Sequence, residues 1–324
     1  MEKTAVIRRP IEKEMTTFRQ VFDESLETTN PLLREVLSYI RRRNGKMMRP
    51  MLTMLVAKSF GELTMETYHA AATMEMLHTA SLVHDDVVDE SDERRGQPSV
   101  NSAYNNKISV LVGDYLLSTS LLHASFTRNP DIVAAVARLG QELSEGEILQ
   151  LSNISNAELS ESTYYDIIRK KTAALFATCA QLGAMSAGAG DEPTERFRLF
   201  GEHVGICFQI KDDIFDYFDS PGLGKPTGND MLEGKLTLPA IYAVNRCGDE
   251  RILALVRRVK EGRVTPPEVA ELIAFTKEHG GIEYARESMH RYYEEALRIA
   301  RTVSDADVRA ALEAYAAYVV DRTL

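Results

Sequence analysis

Residues 74–89 read Met74-Glu75-Met76-Leu77-His78-Thr79-Ala80-Ser81-Leu82-Val83-His84-Asp85-Asp86-Val87-Val88-Asp89. Within this stretch Met74, Leu77, Ala80, Ser81 and Val88 recur at steps of three, four and seven residues, the spacing that puts side chains on one face of an α-helix. The stretch lies between Pro50 and Pro98 with no proline inside, and a second proline-free span runs from Pro130 to Pro193. Both spans are rich in Ala, Leu, Met and Glu, which favour helix. Alternating runs of Val, Ile and Thr between turn residues are nearly absent, so no sheet is expected. The reading is all-α, a single large helical bundle formed by residues 1–324 as one domain.

The expected breaks are few. Asn44-Gly45 separates an early helix from one opening near Pro50. Glu93 to Pro98 ends a second long helix, Gly188 to Pro193 forms a loop, and Ser220 to Gly228, with two prolines and three glycines, forms another. The most apolar window, Ile108 to Phe126, is interrupted by Asp114, His123 and several serines, so it reads as a buried helix and not a membrane span.

Composition narrows the function. The chain has 324 residues and a net charge of −10, which argues against nucleic-acid partners and against broad adhesion to anionic membrane. Its 44% hydrophobic and 27% charged content is that of a soluble globular protein. Three dispersed cysteines, Cys179, Cys207 and Cys247, form no CxxC pair. No targeting segment is visible, and a reducing, cytoplasmic setting is expected.

The pattern His84-Asp85-Asp86-Val87-Val88-Asp89 is echoed by Lys211-Asp212-Asp213-Ile214-Phe215-Asp216, each at the end of a long helical stretch. On a helix, Asp85 and Asp89 project together about 6 Å apart along the axis, as do Asp212 and Asp216. Clustered carboxylates at a helix C-terminus repel one another and face the unfavourable pole of the helix dipole. One such cluster is commonplace; two ask for a compensating cation. Aspartate oxygens suit Mg²⁺, which keeps several waters and bridges to substrate phosphates. A calcium loop needs glycine at its sixth position, which neither copy has.

Basic residues sit beside both motifs. Arg94-Arg95-Gly96 follows the first, Lys225 and Lys235 follow the second, Lys46 and Arg49 come earlier, and Lys170-Lys171 precedes Thr172. Any one is an ordinary surface charge; together with metal-bridging carboxylates they describe a diphosphate site. His78 stands two turns before Asp85 on nearly the same face. Gly228 to Lys235 is not a nucleotide loop, because five residues separate its glycines and Leu236 follows the lysine.

These motifs, with Phe208-Gln209-Ile210-Lys211 and Gly224-Lys225-Pro226-Thr227-Gly228-Asn229-Asp230, resemble the trans-isoprenyl diphosphate synthase (polyprenyl synthetase) family. The resemblance implies an all-α isoprenoid synthase fold around a deep central cavity. It implies catalytic roles for Asp85, Asp86, Asp89, Asp212, Asp213 and Asp216, with up to three Mg²⁺ held chiefly by Asp85, Asp89 and Asp212. It places isopentenyl diphosphate against Lys46, Arg49, His78 and Arg95. An allylic diphosphate would be assisted by Arg94, Lys171, Thr172, Gln209, Lys225 and Lys235. His84 is left as a structural neighbour of the carboxylates. A homodimer is implied as well, without a transmembrane segment, and with room for a peripheral membrane contact at product release.

In short-chain members of that family, bulky aromatic side chains often form a floor one turn above the first motif. Here that level carries Ala80 and Ser81, which implies a long-chain product similar to octaprenyl or solanesyl diphosphate for quinone side chains. The bland alternative is that these small residues only allow close helix packing. A farnesyl or geranylgeranyl diphosphate synthase, a non-catalytic subunit and a terpene cyclase are the rival functions. Two intact aspartate motifs favour the elongating enzyme. The chain departs from the family pattern at Met47, where a cation is common, and at Gln150, where short-chain members carry aspartate. The C-terminal Asp321-Arg322-Thr323-Leu324 receives no role.

Overall fold

The computed structural model describes residues 3–42, 45–94, 96–154, 159–218 and 227–322. In chain order the helices are α1 (Lys3–Arg8), α2 (Glu12–Ser25), α3 (Pro31–Arg41), α4 (Met48–Lys58), α5 (Met65–Val88), α6 (Val100–Ala103), α7 (Asn106–Phe126), α8 (Pro130–Ile154), α9 (Glu161–Ile168), α10 (Ala174–Ser186), α11 (Asp191–Phe215), α12 (Asn229–Leu232), α13 (Leu238–Cys247), α14 (Glu250–Lys260), α15 (Pro266–Glu278), α16 (Gly281–Ala300) and α17 (Ala306–Val320). The all-α expectation holds. The strands described are β1 (Glu93–Arg94) and β2 (Gln97–Pro98), an antiparallel pair of two residues each.

Polar side chains set several helix starts. Asn30 accepts from the Leu33 amide at 3.1 Å with Pro31 in the first helical position, Asn105 from Ile108 at 3.0 Å, Ser160 from Thr163 at 3.2 Å, and Asp249 from Arg251 at 2.8 Å. Each such cap contributes about 1 kcal/mol. The loop expected over Gly188 to Pro193 is shorter than that. Helix α11 begins at Asp191, so Pro193 sits in its first turn, where a missing amide costs no hydrogen bond. Most of the loop expected over Ser220 to Gly228 lies outside the described residues, as does Asn44.

The chain divides into two compact units. Unit 1 comprises Met1–Arg138, Thr178–Arg198 and Arg301–Tyr315, and unit 2 comprises Leu139–Ala177, Leu199–Ala300 and Ala316–Leu324. In unit 1, α5 packs chiefly on α7 and also touches α4 and α2. Its buried face carries Ala70, Ala71, Ala72 and Ala80 among Met74, Met76, Leu77 and Val83. Small residues let the neighbours approach closely, and each fully buried Leu or Met contributes about 1.5–3 kcal/mol. His84 turns onto α7, where Gly113 leaves room for the ring. Its Nε2 lies 3.1 Å from the Val110 carbonyl and 3.5 Å from Asp114.

Helix α7 departs from its expected burial. Val112, Leu116 and Ala124 are buried, but Leu111 is 64% exposed, Leu122 53% and Phe126 45%. One face covers α5; the other carries an apolar stripe at the surface of the single chain. Among the described residues no helix is long and apolar enough to cross a membrane.

In unit 2, α13 packs on α15, α16 and α9. Helix α9 continues without a break through a π-helical turn, Arg169–Ala173, into α10. Glycines admit the neighbouring backbones to this segment. A Cβ on Gly205 of α11 would lie 2.9 Å from the Ala173 Cβ, and one on Gly146 of α8 would lie 2.8 Å from the Lys170 Cβ. A Cβ on Gly201 would lie 2.7 Å from the Phe176 carbonyl carbon. Replacing Gly201 by Ala gains about 1 kcal/mol in helix propensity. Overpacking against a backbone that cannot rotate away costs about 1–3 kcal/mol. The second effect should win, so Gly201→Ala should lower the urea midpoint; a stabilised variant would show that α10 and α11 do not meet this closely.

Candidate active site

In unit 1 the first aspartate motif closes α5. The Asp89 amide donates to the Asp85 carbonyl at 2.8 Å, leaving Asp89 exposed as the C-terminal cap and Asp85 half-buried one turn earlier. Asp86 points the other way and is 2% exposed. Arg94 Nε donates to its Oδ1 at 2.7 Å. The three acids of the motif therefore divide in kind. Asp85 and Asp89 present carboxylates at the helix end, while Asp86 anchors the arginine of β1. Arg95 lies outside the described residues.

The other unit 1 candidates also have definite settings. Lys46 is exposed and Arg49 is half-buried at the start of α4, next to Met47, whose φ of 53° lies in the left-handed region. His78 and Ser81 are half-buried on α5, and the Ser81 hydroxyl donates to the His78 carbonyl at 2.9 Å. Ala80 is 2% exposed.

Unit 2 holds a cavity of about 180 Å³ that brings together four of the allylic candidates, Lys171, Thr172, Gln209 and Lys235, with Asp213 of the second motif. The π turn delivers Lys171 and Thr172 to it; such turns add one residue to a helix and recur at functional sites. A hydrogen-bond chain follows. Thr172 donates to Gln209 Oε1 at 2.7 Å, Gln209 Nε2 donates to Asp213 Oδ1 at 2.8 Å, and Tyr164 donates to Asp213 Oδ2 at 2.5 Å. Burial first, and then the nearby Asp230 charge, push the Asp213 carboxyl well above the ordinary aspartate range. Lys171 pairs with Glu147 at 2.5 Å and Lys235 with Glu233 at 2.6 Å. Gln150 also lines the cavity. Lys225 lies outside the described residues.

The remaining acids of the second motif have separate partners. Asp216 accepts from the Asn229 amide at 2.9 Å and the Asp230 amide at 3.2 Å, which caps the short helix α12. Asp212 Oδ1 accepts from Arg322 Nη2 at 2.8 Å. The Arg322 guanidinium also stacks on Phe208, 4.0 Å from the ring centroid.

Three residues enter the site that the sequence did not single out: Arg322, Tyr164 and Lys260. Lys260 lines the cavity, donates to the Asn153 carbonyl at 2.8 Å, and is pushed below the ordinary lysine value by burial. No local pattern marks any of them, because each is brought in from a distant segment.

Asp85 and Asp89 in unit 1, and separately Asp212 in unit 2, offer carboxylate oxygens, donors that suit Mg²⁺ better than a softer metal. Among the described residues no group of three or more His, Cys, Asp or Glu is arranged to hold an ion by itself. Mg²⁺ held through one or two carboxylates and substrate phosphates needs no such cage. The acids present therefore fit the group.

Comparison with known proteins gives the family of the chain. The sequence model of the Polyprenyl synthetase family matches residues 30–274. The chain is 33% identical over 317 residues to octaprenyl diphosphate synthase from Haemophilus influenzae, covering 98% of this chain and 96% of that one. Among solved structures, a decaprenyl diphosphate synthase from Rhodobacter capsulatus superposes with a TM-score of 0.92 at 35% identity, covering 98% of each chain. A geranylgeranyl pyrophosphate synthase from Bacteroides thetaiotaomicron superposes with a TM-score of 0.87 at 51% identity, covering 99% of this chain and 100% of that one.

Removing the Tyr164 hydroxyl tests the buried chain directly. Tyr164→Phe takes one of two donors from a desolvated carboxylate and should cost about 1–3 kcal/mol in urea unfolding. An unchanged midpoint would mean that Asp213 does not depend on this bond.

Proposed function

Because this chain belongs to the polyprenyl synthetase family and is a prenyltransferase, we propose that it extends an allylic diphosphate by head-to-tail addition of isopentenyl diphosphate, giving a long trans-polyprenyl chain. The observation that carries the reading is the cavity of unit 2, where Lys171, Lys235 and Lys260 stand beside the second aspartate motif. A diphosphate needs such fixed cations where its negative charge grows as the allylic C–O bond breaks.

Asp85, Asp89 and Asp212 would hold Mg²⁺, up to three ions, which when bound stabilises the charge on the leaving diphosphate. Lys171, Lys235 and Arg94, together with Lys225, would bind the allylic diphosphate. Thr172 and Gln209 would orient it, since their side chains are already fixed by hydrogen bonds running to Asp213. Lys46, Arg49, His78 and Arg95 would bind isopentenyl diphosphate, whose double bond attacks the allylic carbon as diphosphate departs; the cation so formed loses a proton to the released diphosphate. Asp86 would act by holding Arg94, Asp213 by holding Gln209, and Asp216 by holding the turn into α12. Apolar walls would exclude water, which quenches a carbocation.

The small side chains of Ala80 and Ser81 support the long product, and so do the octaprenyl and decaprenyl activities named for two of the relatives. A twenty-carbon product is the second reading, favoured by the name of the Bacteroides thetaiotaomicron structure. The family match draws on segments of both compact units, which supports reading residues 1–324 as one domain. The cysteines among the described residues are free thiols, in keeping with a cytoplasmic site. The apolar stripe on α7 supports a homodimer, and the amphiphilic product supports a peripheral membrane contact at release.

Incubation with farnesyl diphosphate, labelled isopentenyl diphosphate and Mg²⁺ should give products well beyond twenty carbons by mass. Asp85→Ala should abolish turnover with an unchanged circular dichroism spectrum, and Ala80→Phe should shorten the product. A product that stops at twenty carbons supports the second reading, and no elongation at all sinks both. Leu111→Glu should convert a particle of twice the chain mass into one of single mass by light scattering. A variant that keeps the parent's mass would remove the α7 stripe from the dimer contact.

A further inference from the structure

A second cavity lies on the other side of α11, wholly within unit 2, with a volume of about 590 Å³. Its polar lining is basic: the cations Lys211, Arg286 and Arg322, with the imidazole of His290. No carboxylate lines it among the described residues. Its apolar wall is built from Ile214, Phe215, Phe218, Met289 and Val320. Lys211, Phe215 and Phe218 recur at four and three residues along and just beyond α11, so the cation and both rings share a face.

The charge is unevenly compensated. Arg322 bonds to Asp212, and His290 lies 3.8 Å from Glu294. Lys211 is drawn electrostatically to the Asp321 carboxylate, which does not line the pocket. Lys211 Nζ rests 5.0 Å from the Phe215 ring centroid. The Arg322 and Arg286 charges share the pocket with it. Two cations crowded together beside aromatic rings favour an anion that also brings apolar surface.

We propose that this pocket is a second ligand site, for one amphiphilic anion: a phosphate or diphosphate monoester with a hydrocarbon tail. Its head pairs with Lys211 and Arg286, and the tail lies on Phe215, Phe218 and Val320. The volume falls in the range of small-ligand pockets. Arg322 lines the pocket while bonded to Asp212, so the anionic head and Asp212 compete for one guanidinium. The site stands apart from the cavity of Lys171 and Lys235 and does not rest on the reaction proposed for it.

Titration calorimetry with decyl phosphate, below its micelle concentration and in EDTA, tests the proposal. The full chain should bind one equivalent. Methyl phosphate, which lacks the tail, should bind at least about tenfold more weakly, and Arg286→Glu should weaken decyl phosphate by about the same factor. Lys171→Met, in the other cavity, should leave decyl phosphate binding as it is. The proposal is overturned if Arg286→Glu binds like the parent, if methyl and decyl phosphate bind alike, or if Lys171→Met removes binding. It is also overturned if phosphatidylglycerol vesicles capture the protein through Arg286 while monomeric decyl phosphate is ignored.

Discussion

Asp213 is 3% exposed in the last turn of α11, and its carboxylate is met there by hydroxyl and amide donors, Tyr164 and Gln209. A carboxylate in that position raises the free energy of the fold unless its oxygens are satisfied, so much of unit 2 is arranged around satisfying them. Tyr164 ties α9 to α11. Gln209, one turn from Asp213 on the same helix, reaches back to it and turns its other atom to Thr172. The side chains facing the cavity are held before any ligand arrives, which is the condition for electrostatic preorganisation.

The same economy governs the cations. Lys171, Lys170 and Lys235 each contact a glutamate, from α8 in the first two cases. In a chain of net charge −10 the lysines are thus held in place by partners that a multiply charged diphosphate must outcompete. Lys171 and Glu147 are both half-buried, so their pair holds the ammonium more firmly than an exposed one would. An acidic protein can in this way hold strongly anionic substrates through a few placed cations and through its acids. Residues 85–96 alone carry six acids against two arginines.

The sequence made the helices legible because periodicity and proline placement are local properties. Helix α5 and the acidic ends of α5 and α11 could be read directly from spacing. What spacing did not reveal was the division of labour among the acids. Asp85, Asp86 and Asp89 look alike in sequence, yet only Asp86 is buried with an arginine, and Asp216 caps α12. Arg322 stands in the sequence as one basic residue in a tail; its contact with Asp212 spans 110 positions. Hydropathy alone suggests that the stripe of α7 is buried, because it reports what a helix could cover, not what stands opposite it.

The π turn at Arg169–Ala173 has a consequence for how the chain could have changed over time. A π turn holds one residue more than α geometry requires. Deleting any of residues 169–173 would leave a smoother helix by local propensity. It would also swing the residues on one side of the cut by about 100° about the helix axis relative to those on the other. Lys171 and Thr172 would then no longer share their present register with Ala173, which Gly205 receives, and Thr172 would leave Gln209. Among descendants of such a chain, substitutions here are graded changes, but a single-codon deletion is a step that the neighbouring helices do not absorb.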